Sequence, residues 1–108
     1  MKPITFLADS LKVVRAFPES ARQDTGYQLD RLQRGLQPDD FKPMATVGAG
    51  AEELRVWSEQ GTFRVVYLAR LPEAVFVLHA FQKKTQATPK ADIDLAARRY
   101  RDLMRTRP

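Results

Sequence analysis

Cysteine is absent from this chain and histidine occurs once. Those two shortages exclude disulfide bridges, thiolate metal sites and cysteine nucleophiles, and they leave too few ligands for a structural zinc site. No metal and no cofactor is expected. No apolar run approaches the ~20 residues that cross a bilayer, and the first residues lack a signal-peptide core. A soluble, cytoplasmic protein with no membrane partner is therefore expected. No repeat or low-complexity segment interrupts the chain. Acidic residues are also in short supply: 13 Asp and Glu stand against 18 Lys and Arg, a net charge of +5.

What is present suits one folded unit. The 108 residues, 44% of them apolar, predict a single domain over 1–108 with its own core. The excess charge is concentrated at one end. Residues 1–40 carry six basic and six acidic side chains, residues 41–81 four of each, and residues 82–108 eight bases against three acids. A basic pole is the footprint of a phosphate-rich or acidic partner; the plainer alternative is a solvated helix face.

Ile4–Leu7 reads as a first strand. Asp9 or Ser10 can cap a short helix through Phe17, and Pro18 suits the first turn of a second helix. Phe17, Ala21, Leu29, Leu32 and Leu36 recur at near-helical spacing, with Gly35 as the C-terminal stop. Residues 37–50, with two Pro and two Gly, read as a loop. Glu53–Trp57, Thr62–Ala69 and Ala74–Phe81 are strand candidates separated by four-residue connections, a natural meander. Thr88-Pro89 opens a last helix with Ile93, Ala96, Tyr100, Leu103 and Met104 on one face and Arg98, Arg99, Arg101 and Arg105 mostly on the other. The fold class is α+β in the order β-α-α-β-β-β-α, a mainly antiparallel sheet.

Tight hairpins pair Trp57 with Thr62 and Ala69 with Ala74, which sets Arg55 opposite Arg64 and Arg64 opposite His79. Alternation then gathers Leu54, Val56, Phe63, Val65, Tyr67, Phe76, Leu78 and Ala80 on an apolar face for the helices. Arg55, Trp57, Arg64, His79, Phe81 and Lys83 share the other face, with Val66, Leu68, Val75 and Val77. Directly opposed arginines repel, so an anion lying across the strands would make sense of them. Cations interleaved with aromatics suit single-stranded nucleic acid, through phosphate contacts and base stacking. The alternative is a structural pairing of Arg55 with a nearby Glu.

No carboxylate pair, glycine-rich phosphate loop or serine triad can be assembled. RNA cleavage remains open, because the substrate's own 2′-hydroxyl can serve as nucleophile. Arg55 and Arg64 could stabilise the phosphorane, His79 titrates in the range for proton transfer, and neighbouring cations could tune Lys83 and Lys84. Because Arg64 repels Arg55, its removal is expected to leave stability unchanged or slightly raised.

The segments Glu53-Leu54-Arg55, Phe63-Arg64-Val65-Val66-Tyr67 and His79–Gln86, followed by Thr88-Pro89 and the last helix, resemble the phage-derived branch of the RelE/HigB toxins. The resemblance implies a twisted antiparallel sheet with helices on one face and an active site on the open face. It implies a toxin that cleaves translated messenger RNA on the ribosome, opposed by a cognate antitoxin, often a helix-turn-helix protein. Arg64 matches the arginine that contacts the scissile phosphate, Arg55 a basic position on the preceding strand, and Lys84 the basic position beyond the last strand, with Lys83 beside it. The family's C-terminal base-stacking tyrosine has no match, since Tyr100 lies in its helix's apolar stripe, and His79 is the local candidate for proton transfer. Trp57, Phe81, Lys83, Arg98, Arg99 and Arg101 are the expected RNA contacts. The same fold also includes poisons of DNA gyrase, and a binding-only RNA module is a further alternative.

Overall fold

Three helices and five strands follow one another in the computed structural model, which describes residues 1–107. Strand β1 (Ile4–Phe6) leads into helices α1 (Ser10–Arg15) and α2 (Glu19–Gln33); then come β2 (Phe41–Pro43), β3 (Ala51–Ser58), β4 (Gly61–Leu68), β5 (Val75–Lys83) and α3 (Lys90–Thr106). The fold is α+β, with one sheet in the order β1-β5-β4-β3-β2 that is antiparallel except where β1 runs parallel to β5. The short strand β2 lies inside the segment expected to be loop. Three residues carry too little periodicity to betray a strand.

Local signals explain the helix ends. Pro18 takes the position before α2, and Gly35 adopts φ +79° just past its end. There the Gly35 amide bonds to Leu32 and the Leu36 amide to Arg31, the paired pattern that only a left-handed residue permits cheaply. At α1, Asp9 occupies the cap position without capping through its side chain.

The meander has the expected β3–β4 register, with Trp57 opposite Thr62 and Arg55 opposite Arg64. The β4–β5 register differs. Arg64 lies opposite Phe81 and Val66 opposite His79, whereas Tyr67 pairs with Val77, leaving Leu78 as an extra residue in β5. This bulge reverses the faces of the strand's first half. Val75 and Val77 join Val14, Phe17, Ala21, Leu29, Leu32, Leu54, Val56 and Tyr67 beneath α1 and α2. Phe76 and Leu78, expected there, turn to the other face, where they pack with Val66, Leu68, Phe81 and Ala96 under α3. The helices therefore do not all share one face: α3 packs on the surface expected to be open.

Candidate nucleic-acid interface

Alternation along the strands sets out the polar face in rows. Trp57, Thr62 and Lys83 form the row at the sheet's end, Arg55, Arg64 and Phe81 the next, and Glu53, Val66 and His79 the third. Lys42 of β2 stands beside Glu53, and the Arg55 amide bonds to the Asp40 carbonyl. The arginines do face each other, but each has its own carboxylate. Arg55 Nε lies 3.0 Å from Asp40 Oδ1, and Arg64 Nε lies 3.3 Å from Glu53 Oε1. Two acids among four cations explain how the pair survives without an anion.

Glu53 is the residue that sequence reasoning missed. It is 0% exposed, and besides Arg64 it has Lys42 Nζ at 3.8 Å and accepts a 2.9 Å hydrogen bond from Thr88 Oγ. The available signal was its position two residues before Arg55, which puts both on one face. Asp40 was hidden in the supposed loop. Its second oxygen accepts a 2.7 Å hydrogen bond from Trp57 Nε1.

Arg64 is only 3% exposed. The Trp57 ring lies over its guanidinium, 5.5 Å from centroid to Cζ, a cation–π arrangement. Burial lowers the Arg64 pKa below the ordinary arginine value; Glu53 opposes that effect and Arg55 adds to it. Half-buried Lys83 is also held below the usual lysine range, by desolvation first and then by Arg64, Lys42 and Arg55, with Glu53 acting the other way. Lys84 is exposed just beyond the end of β5.

The two aromatics separate. Trp57 is 61% exposed, so its outer face is free to stack. Phe81 is 8% exposed, belongs to the α3 core and stacks on His79 at 5.4 Å; as placed, it offers no surface to a base. His79 is likewise engaged. Its Nε2 donates to Asp92 Oδ1 of α3 at 2.6 Å, and its Nδ1 is buried without a hydrogen bond among the described residues. The geometry gives His79 the task of docking α3.

Arg98 and Arg101 point outward from α3, but Arg99 does not. Its guanidinium donates to the Leu78 carbonyl at 3.0 Å and to Asp9 Oδ1 at 2.9 Å, strapping α3 to the β5 bulge and to the start of α1. Tyr100 donates to the Ala49 carbonyl at 2.8 Å, away from the cationic rows. Among the described residues, no helix is long and apolar enough to cross a membrane.

Residues 12–101 match the family described as phage-derived protein Gp49-like (DUF891). The chain belongs to that family. The match takes in the cationic rows on β2–β5 and all but the end of α3, and the family is commonly one of RelE/HigB-type toxins. No curated protein matches the chain.

Proposed function

We propose that this Gp49-like protein is the toxin of a toxin–antitoxin pair, an endoribonuclease that cuts messenger RNA during translation in the cytoplasm. The observation that carries the reading is the opposed Arg55–Arg64 pair with Lys42 and Lys83 on the same sheet face, Arg64 lying beneath the exposed Trp57 ring. In this reading the RNA's 2′-oxygen attacks the adjacent phosphorus. The bond to the 5′-oxygen breaks, leaving a 2′,3′-cyclic phosphate and a free 5′-hydroxyl. Arg55 and Arg64 hold the phosphorane charge, since guanidinium grips phosphate through parallel hydrogen bonds. Arg64 becomes reachable when the Trp57 ring turns off it and stacks on a base. Lys83 is the better proton acceptor, because its lowered pKa yields more free amine near neutrality; Lys84 supplies a proton to the departing oxygen. His79 has no part in proton transfer in this scheme, being bonded to Asp92.

With few groups to organise the substrate, the ribosome positions the message, and Arg98 and Arg101 contact ribosomal RNA. The expected antitoxin is a helix-turn-helix protein. The test is induction in cells followed by primer extension on abundant transcripts. Growth arrest with cuts inside translated reading frames is expected, and purified protein should cut naked RNA poorly. DNA breaks of the gyrase-poison type with intact transcripts would overturn the proposal.

A further inference from the structure

We propose that Glu53 is the positioning residue of this face, fixing Arg64 from one carboxylate oxygen and latching the segment that carries Lys84 from the other. A fully buried carboxylate is costly to desolvate unless it is paired and hydrogen-bonded. Glu53 has three such partners, each from a different part of the chain. Oε1 faces Arg64 of β4 at 3.3 Å and Lys42 of β2 at 3.8 Å, and Oε2 accepts from Thr88 at 2.9 Å. Thr88 is the last residue but one of the stretch 84–89 between β5 and α3, so its bond ties that stretch to the floor beneath Arg64. Neither Arg64 Nε nor Glu53 Oε1 makes a well-aligned hydrogen bond. The contact therefore orients the guanidinium chiefly by charge, while Nη1 donates to the Phe63 carbonyl at 3.2 Å.

The same carboxylate acts on Lys83. The charged groups around that amine are Arg64 on β4, Lys42 on β2, and Arg55 and Glu53 on β3, and Glu53 alone among them favours the protonated form. Removing its charge lowers the Lys83 pKa further.

The inference rests on the cleavage reading of this face, and the experiment separates the two. Glu53→Gln keeps the volume and a hydrogen-bonding partner for Thr88; Thr88→Val breaks the latch, with the donor to Oε2, and leaves the Glu53 charge in place. Both are compared with the parent for message cleavage on translating ribosomes, and Lys83 is titrated by NMR of its ε-carbon. Glu53→Gln should lose about tenfold or more in kcat with KM nearly unchanged, the pattern of lost orientation rather than lost binding. The acid limb of its pH–rate profile should move to lower pH, together with the Lys83 titration. Thr88→Val should lose kcat while the Lys83 titration stays in place. If the parent cuts no message, the cleavage reading fails, and the Lys83 shift in Glu53→Gln still decides the electrostatic half of this inference. Wild-type kcat and an unmoved Lys83 titration in a folded Glu53→Gln protein would refute it. Should Glu53→Gln fail to fold, a Thr88→Val protein with undiminished kcat would refute the latch.

Discussion

Arg64 shows how one unseen neighbour reverses an energetic expectation. With Arg55 alone in view, its removal relieves repulsion and stability holds or rises. With Glu53 0% exposed beside it, Arg64→Ala strands a carboxylate in the interior, with Lys42 at 3.8 Å and the Thr88 hydroxyl as its remaining partners. Breaking one side of a buried pair costs on the order of 3 kcal/mol. Urea unfolding of Arg64→Ala should show a loss of that size. The double variant Arg64→Met, Glu53→Gln should recover most of it without recovering activity, because the interior then holds no unpaired charge. A melting temperature unchanged in Arg64→Ala would show that Lys42 suffices as the partner of Glu53.

At the scale of elements, α3 is the piece whose position matters most. It docks through Ile93, Ala96, Tyr100, Leu103 and Met104, as its spacing predicts, on a surface made by Phe76, Leu78 and Leu68. Its arginines divide into two kinds. Arg99→Gln removes bonds to the Leu78 carbonyl and to Asp9 and should cost about 1–3 kcal/mol, since a buried carbonyl loses its charged donor. Arg98→Gln and Arg101→Gln should stay within about 0.5 kcal/mol of the parent, yet weaken ribosome binding and flatten its salt dependence. Equal stability losses across the three would remove the distinction. A close approach elsewhere fixes the same helix. A Cβ on Gly48 would come within 2.4 Å of the Tyr100 ring, so Gly48→Ala should cost about 1–3 kcal/mol in thermal unfolding.

Across the whole molecule, charge is distributed by depth as well as by sequence. The +5 excess lies in residues 82–108, but part of it is internally balanced. Arg99 pairs with Asp9, and Arg107 with Glu73 at 2.6 Å. The latter bond ties the end of α3 to the connection between β4 and β5. It holds the Glu73 carboxyl below the ordinary glutamate range, through the hydrogen bond from Arg107 first. A depressed folded-state pKa adds stability above the unfolded value, and that stability is lost as pH falls through the folded one. The tie should thus be intact at neutral pH and release in acid, below the usual glutamate pKa. Amide exchange over the last turn of α3 should quicken there, and Glu73→Gln should abolish that pH dependence. The folded chain exposes 6147 Å², close to the ~6,000 Å² expected for its mass.

Spacing and punctuation along the chain determined the helices, the meander and the Arg55–Arg64 opposition, because each depends on neighbours a few residues apart. Pro18 and Gly35 act locally, and the β3–β4 register follows from one tight turn. The cluster of Arg55, Trp57 and Arg64 on one surface was legible for the same reason, and Lys83 stays with it because the β4–β5 register there moves by two residues, which preserves its face. Three things depended on contacts remote in sequence. The bulge at Leu78 arises where β5 must serve two cores at once, and it turned Phe76 and Leu78 toward α3. That docking buried Phe81 and engaged His79 and Arg99, side chains that alternation alone leaves free. The pairing of Arg64 with Glu53, and of Glu53 with Thr88 thirty-five residues on, was settled only in the folded interior. There a buried charge takes whatever partner the packing brings within reach.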